Sequence, residues 1–283
     1  MDMAAMDGDE PGNQAEGRQG ARLFRYCPED FGEIPVKVLH MDLTFDVYDD
    51  HTRVISLLNA RTLERSLPVL VLNAKDLEVI SITSAGRQVT ADYRKAEAKI
   101  RLTFHPRLPP GTEFTIRTET ICRPTRNVLE GLYYDETPPG APPTQITQCQ
   151  QWGFQRLVPC IDDMTAKCTY MTAIIASSRY THLISNGDVA EPRHMVRAGR
   201  DRIRYANTVT PMAPYLFFLG VGAYAAFEKQ CEYPDGKTFL LVLLVPPGSD
   251  PALAREALGI LHDAVIWVYL FTGPEQYKDR DTR

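Results

Sequence analysis

The stretch Thr147–Thr169 reads TQCQQWGFQRLVPCIDDMTAKCT, and it is the most informative segment of this chain. Two alternate carboxamides, a Pro-Cys pair and an acidic pair stand close together in it, which no bias of composition explains. Gln148 and Gln150 are two apart, so on a strand they share a face. Their carboxamide oxygens either accept hydrogen bonds from an ammonium group of a ligand or satisfy neighbouring backbone, and the residues alone leave both interpretations open.

The other reactive residues of this region favour structural roles. Asp162 and Asp163 are adjacent, and adjacent strand residues point to opposite faces, so an ion pair or a turn cap is favoured over a shared acid–base or metal site. Cys160 has no local signature of a base that would activate it, which favours a buried thiol. His182 and His194 stand without a partner pattern and read as ordinary surface or loop histidines. No catalytic residue and no metal ligand is predicted in this chain.

Outward from this stretch, apolar and polar residues alternate with the period of half-buried strands. Turn residues such as Asn-Gly, Asp-Gly and Pro separate these runs, so the sequence predicts a sheet protein. The segment 137–144 (TPPGAPPT) is either an interdomain linker or a long surface loop within one domain, and the strand patterns on both sides favour the loop. The clearest predicted strands are residues 39–48, 99–104, 113–117, 167–176, 201–209, 215–227 and 238–245.

The C-terminal part changes to a helical pattern. Ser249 or Asp250 is a suitable N-cap and Gly273-Pro274 a stop signal, which together predict a helix over residues 251–272, about 30 Å long. Residues 260–271 are apolar on nearly every face, so this helix is expected to be buried. It is too short and too interrupted by polar residues to span a membrane.

Composition narrows the class of protein. With 283 residues, 44% of them hydrophobic and 24% charged, the chain can bury a sizeable core. A net charge of −5 argues against nucleic acid as a partner. Six cysteines without C-x-x-C spacing predict buried free thiols, a reducing compartment and hence a cytoplasmic location. Residues 1–20 are acidic and Gly-rich, which predicts a disordered tail rather than a signal peptide.

The central stretch resembles a motif of the aminopeptidase N-like zinc peptidases, peptidase family M1. Most of that family has Glu where Gln150 stands, and the T-Q-C-Q order is similar to the leukotriene-hydrolase-like branch. Further matches in order are Gly131–Tyr134, Ser185–Gly187, Thr210–Leu216 and Gly220–Gly222. The residues that match within the central motif are Thr147, Gln148, Gln150, Arg156, Pro159, Cys160, Asp162, Asp163 and Lys167.

The resemblance implies a mainly β fold, a saddle-like antiparallel sheet or sandwich domain over residues 21–248. It also implies that residues 249–283 begin an α-rich, thermolysin-like catalytic domain, whose remainder packs on the 251–272 helix. Gln148 and Gln150 would then bind the free N-terminus of a peptide. The family's zinc and general base come from H-E-x-x-H, and none of the six histidines begins that motif. Zinc is therefore expected in the intact enzyme, whereas this chain alone is expected to hold no cofactor and to be inactive.

Two rival functions come from other classes. One is a non-catalytic scaffold or protein-interaction domain related to the same family. The other is a carbohydrate-binding β-sandwich, which the sequence disfavours because it has only two tryptophans and no obvious aromatic platform. The coding sequence after Arg283 would discriminate the first from the enzyme, since H-E-x-x-H with a later Glu is required for zinc catalysis.

Overall fold

Residues 34–272 are described by the computed structural model, and they form strands β1 to β16 followed by a long helix, α1. This confirms the predicted mainly β fold with a C-terminal helix. The predicted tail at residues 1–20 and the last residues of the chain, 273–283, lie outside the described part. The strands are β1 Val36–Val47, β2 Thr52–Thr62, β3 Leu67–Asn73, β4 Glu78–Ser84, β5 Gln88–Arg94, β6 Lys99–Leu108, β7 Glu113–Cys122, β8 Gly131–Tyr134, β9 Gln145–Gln148, β10 Cys168–Ser177, β11 His182–Ser185, β12 Asp188–Arg197, β13 Arg200–Met212, β14 Leu219–Gly222, β15 Ala225–Glu232 and β16 Thr238–Val245.

The strands are arranged in four sheets within the described residues. A seven-stranded sheet has the order β12-β13-β10-β1-β2-β7-β4, and a four-stranded sheet has the order β11-β14-β9-β8. The order β3-β6-β5 forms a third sheet, and β15 pairs with β16 alone. Among these strands only β1 and β10 pair in parallel, so the prediction of a mostly antiparallel sheet protein is confirmed.

The alternating pattern of β1 explains its place at the centre of the large sheet. Leu43, Phe45 and Val47 are buried, whereas the intervening Thr44 and Asp46 are only partly covered. The buried side chains face a core to which the three- and four-stranded sheets also contribute. This is the one-sided burial that a period of two predicts.

An aromatic cluster at the centre of this core includes a side chain of the central stretch 147–169. The ring of Phe154 is completely buried and lies 5.0 Å from that of Phe217, centroid to centroid. Phe217 in turn lies 5.7 Å from Phe45 and 5.9 Å from Tyr170. The central stretch is therefore tied to β1, β10 and the segment before β14 through its side chains.

The predicted strand at 215–227 is wrong as a single element. Pro214–Leu216 forms a 3-10 turn, closed by the Phe217 N–H, which donates to Pro214 O at 3.0 Å. Proline at the start of this turn fixes its backbone, and Phe217 then enters the core. The remainder divides between β14 and β15, which belong to different sheets.

The segment 137–144 is a loop within one domain, as predicted. It connects β8 to β9, and these two strands pair antiparallel, with Tyr134 opposite Gln145. Strands that pair directly across a connection belong to the same sheet, so the segment is not an interdomain linker.

Helix α1 spans Pro251–Thr272, the predicted bounds. Asp250 caps it, since its Oδ1 accepts from the Ala252 N–H at 2.8 Å. The helix packs on β15 and β16, and the ring of Tyr269 stacks on Tyr233 at 4.7 Å. No helix within residues 34–272 is long and apolar enough to cross a membrane.

The expectation that α1 is buried holds for one side only. Ala254, Leu258 and Tyr269 are its buried residues. The opposite side exposes large apolar side chains to solvent, which is unusual for a folded surface. These exposed residues are Leu253, Ile260, Leu261, Trp267, Val268, Leu270 and Phe271.

Candidate functional site

The central stretch begins on β9, which lies between β14 and β8. Thr147 Oγ1 accepts from the Leu219 N–H at 2.8 Å and fixes β9 against β14. On the other side Gly131 of β8 lies opposite Gln148. Gly153 completes the contact, because a Cβ at this position would stand 2.3 Å from the carbonyl oxygen of Gln148 and 2.8 Å from the Gly131 nitrogen. Only glycine fits there.

Gln148 and Gln150 both lie at the surface, two residues apart along the chain. Gln148 is the last residue of β9, whereas Gln150 lies in the following turn, so the prediction of one strand for both is wrong for Gln150. The Gly153 N–H donates to Cys149 O at 2.8 Å and closes this turn. Cys149 between the two carboxamides is only 2% exposed, so the exposed–buried–exposed alternation continues past the strand.

Both carboxamides are available to a ligand. Within residues 34–272, the side chains of Gln148 and Gln150 make no hydrogen bond and no ion pair. Most polar side chains at a surface bond to water, so this state fits solvent as well as an incoming donor. Gly153 and the buried Cys149 fix the backbone from which these two side chains extend, so the positions of their Cβ atoms are defined.

Arg156 of the motif anchors the turn through ion pairs with two acidic residues. Its Nη1 lies 2.7 Å from Asp76 Oδ2 and its Nε donates to Glu130 Oε2 at 2.9 Å. Lys75 adds a contact to Glu130 at 3.1 Å. Glu130 directly precedes Gly131, so this network joins the stretch to β8. The Arg156 guanidinium is mostly covered, which reduces the screening of these ion pairs by water.

Asp162 and Asp163 have separate structural contacts. Asp162 is buried, and its Oδ2 accepts from the Gln155 N–H at 3.0 Å. Burial raises the pKa of Asp162 to about 6, because charge is disfavoured away from water. Asp163 Oδ1 accepts from the Thr165 N–H at 2.7 Å. The predicted turn cap is confirmed for Asp163.

The thiols of this region are buried, as predicted. Cys160 is 1% exposed, and its backbone pairs in both directions with Asn73, at 2.7 and 3.0 Å. Burial raises the pKa of the Cys149 and Cys160 thiols well above the usual value and that of Cys168 to about 11. These groups are neutral thiols near pH 7, which is the inert state of cysteine. Cys27 lies outside the described residues.

The donors of the described part do not fit a zinc site. Between residues 34 and 272 no three His, Cys, Asp or Glu side chains are grouped so that they could hold a metal ion. His182 Nδ1 lies 2.8 Å from Thr181 Oγ1, and His194 Nδ1 lies 2.9 Å from Pro192 O. His194 is exposed, whereas His182 is partly covered, and both lie on strands rather than in loops. No step through zinc follows from these residues.

Comparison with known proteins indicates the family to which the fold and the central stretch belong. Residues 37–216 match the family model described as the Peptidase M1 N-terminal domain. The chain is 28% identical to the aminopeptidase N of Caulobacter vibrioides over 239 residues, which cover 84% of this chain and 26% of that protein. It is 26% identical to the leukotriene A-4 hydrolase of Xenopus laevis over 202 residues, 69% of this chain and 32% of the relative.

A solved structure has the same fold. The crystal structure of Legionella pneumophila aminopeptidase A in complex with aspartic acid superposes with a TM-score of 0.68 at 21% identity. The match covers 78% of this chain and 25% of that one. The chain thus spans only about a quarter to a third of the length of these relatives.

Proposed function

Because the chain belongs to the peptidase M1 N-terminal domain family, we propose that it is the substrate-positioning N-terminal part of a zinc-dependent aminopeptidase. Zinc and the general base would come from sequence outside this chain. The named relatives are two aminopeptidases and a leukotriene A-4 hydrolase, so the comparisons do not favour the non-catalytic scaffold. The T-Q-C-Q order supports placement in the leukotriene-hydrolase-like branch, and a leukotriene A-4 hydrolase is among the relatives.

The exposed pair Gln148 and Gln150 carries this proposal. Their carboxamide oxygens accept hydrogen bonds from the free N-terminal ammonium of a peptide and so fix which peptide bond is presented for cleavage. Because Gln150 is neutral, it supplies hydrogen bonds without a full negative charge. The electrostatic part of ammonium binding then depends on acidic groups elsewhere in the protein.

In the full-length protein, Gln148→Ala is expected to lower kcat/KM for peptides with a free N-terminus about ten- to a hundredfold. A hydrogen bond to a charged group contributes roughly 1.5–3 kcal/mol, and this substitution removes it without disturbing the core. Gln88→Ala is the matched control, because Gln88 is an exposed glutamine of β5 in another sheet. Its kinetics should equal those of the unchanged protein.

The companion variant Gln150→Glu adds a negative charge at the same turn. It should tighten binding of peptides with a free N-terminus more than of N-acetylated ones, because acetylation removes the partner charge. Unchanged kinetics on both kinds of peptide in folded Gln148→Ala and Gln150→Glu proteins would show that the pair is structural.

The exposed side of α1 supports a second part of the proposal, that the remainder of the protein packs on this helix. Trp267 is 62% and Phe271 76% exposed, and burying such a side chain is worth roughly 1.5–3 kcal/mol. Covering several of them therefore supplies a large share of a domain's stability. The division of domains at residue 248 stays a prediction.

The 283-residue chain is accordingly expected to self-associate through α1. Trp267→Glu combined with Phe271→Glu should shift it to the monomer in sedimentation velocity, because both charges enter the exposed apolar side. Leu63→Glu is the control, since Leu63 is exposed in the connection from β2 to β3. A longer protein should protect the amides of residues 260–271 from hydrogen exchange. Equal exchange with and without the additional sequence would contradict the packing.

A cytoplasmic location is also proposed. Its support is the set of described cysteines, Cys122, Cys149, Cys160, Cys168 and Cys231, all of which are buried free thiols. Thiols persist in reducing compartments.

A further inference from the structure

The outer face of the four-stranded sheet forms a cleft with the β15–β16 hairpin. Its volume is about 490 Å³. One cross-strand row crosses the sheet here, in which Tyr133, Ile146, Gly220 and Ile184 lie side by side on β8, β9, β14 and β11. Val242 of β16 contributes to the wall on the hairpin side. The cleft therefore has an apolar floor and an apolar wall.

Two aromatic rings extend this floor because β14 carries glycines beside them. A Cβ on Gly220 would stand 3.1 Å from the ring of Phe218. A Cβ on Gly222 would stand 2.4 Å from the ring of Tyr224. Both rings consequently lie against the bare backbone of the strand and offer their surfaces to the cleft, and Phe218 is 36% exposed.

The charged residues that line the cleft are both acidic. Asp135 and Glu136 line it, are exposed, and make no ion pair or side-chain hydrogen bond with any other part of the chain between residues 34 and 272. No lysine or arginine is among the lining residues of the described chain. Burial first and the Asp135 charge second raise the pKa of Tyr133, and the same causes act on Tyr224, so this carboxylate lies near both rings.

We propose that this cleft binds a lysine or arginine side chain of a peptide. The aliphatic stem of that side chain lies on Phe218 and Ile146. Its cationic group contacts the ring face of Tyr224 and reaches the carboxylates of Asp135 and Glu136. Aromatic rings attract cations through their electron-rich faces, and long basic side chains cover apolar surface with their stems while the charge stays near water. An anionic ligand would meet two unpaired carboxylates instead.

The distance from the cleft to Gln148 determines which residue of the peptide is the basic one. This assignment rests on the proposed function, in which Gln148 binds the N-terminus of the peptide. Ile146 and Gln148 are two apart on β9, so they share a face about 7 Å apart. The Asp135 N–H donates to Thr144 O at 3.0 Å, which places the acidic end four residues from Gln148, about 13 Å along the strand. An extended peptide anchored at Gln148 reaches about 10 Å with its fourth residue, and the basic side chain spans the rest.

The experiment measures the Kd of the 283-residue chain for Ala-Ala-Ala-Lys-Ala carrying a C-terminal fluorophore, by fluorescence anisotropy. The same peptide with norleucine in place of lysine keeps the stem and removes the charge. We expect the lysine peptide to bind about tenfold more tightly, the size of one cation–aromatic contact plus charge attraction. Asp135→Asn combined with Glu136→Gln should abolish this ratio. Glu64→Gln, which removes an exposed carboxylate between β2 and β3, should preserve it.

N-acetylated versions of both peptides separate this inference from the proposed function. If acetylation has no effect while the lysine preference persists, the cleft stands, and Gln148 and Gln150 do not bind the ammonium without the acidic groups of the remaining protein. If acetylation weakens binding but lysine and norleucine peptides bind equally, the cleft assignment is overturned and the proposed function stands. Absence of saturable binding, or a lysine preference that survives in the folded double variant, also overturns the assignment.

Discussion

Gly153→Ala is expected to destabilise the protein by about 3 kcal/mol, the upper end of the range for overpacking a folded interior. The new methyl group would stand 2.3 Å from the Gln148 carbonyl oxygen, 2.8 Å from the Gly131 nitrogen and 2.9 Å from the Cys149 Cα. All three are backbone atoms, of β9, of β8 and of the turn that follows β9, so no side chain can rotate away. The strands must separate, and the free energy of unfolding in urea measures the loss.

Gly259→Ala is the matched control, because it adds the same methyl group where nothing lies within 4 Å. Gly259 is inside α1, and alanine is favoured over glycine there by about 1 kcal/mol, so this variant should gain stability. If Gly153→Ala unfolds at the same urea concentration as the unchanged protein, the close approach of β8, β9 and the turn is wrong.

The fold was predictable where the information is local. β1 alternates with the period of a strand along its whole length, and Asp250-Pro251 marks the start of α1 as capping chemistry requires. The same reasoning gave a wrong prediction of one strand for the segment 215–227. Its apolar run is divided between a turn, the core residue Phe217 and two sheets. That division depends on contacts with β9 and β16, which no local pattern records.

The candidate site was predictable only in part, for the same reason. Gln148 and Gln150 stand out by motif, but the turn that separates Gln150 from the strand depends on the Gly153 contact with Gly131. Asp135 and Glu136 follow β8 in an ordinary-looking loop, and nothing in the sequence indicates that they meet Phe218. For α1, the apolar pattern of the sequence predicts a buried helix. It does not indicate which surface covers the side that is exposed in this chain.

Asp162→Asn is expected to stabilise the protein at neutral pH by up to about 3 kcal/mol and to have little effect near pH 4. The pKa of Asp162 is about 6 in the folded protein, against an ordinary value of 3.8. Between these values the folded state keeps a proton that the unfolded state releases, so the free energy of unfolding falls as pH rises through this window. The difference between the two pKa values corresponds to about 3 kcal/mol of stability, which the protein loses when Asp162 ionises. A neutral asparagine does not ionise, so the variant keeps this stability at neutral pH.

The hydrogen bond to the Gln155 N–H is preserved in this variant, because the Asn carbonyl oxygen accepts as the carboxylate does. Asp163→Asn is the control. Asp163 caps the turn at Thr165, a role that asparagine also fills, so the effect of this substitution on stability should be small. Urea unfolding of the three proteins from pH 4 to 8 gives the comparison. A stability difference for Asp162→Asn that stays flat with pH would show that Asp162 is already ionised without penalty at pH 4. A loss at pH 7 would instead show that the buried charge stabilises the stretch beneath Gln148 and Gln150.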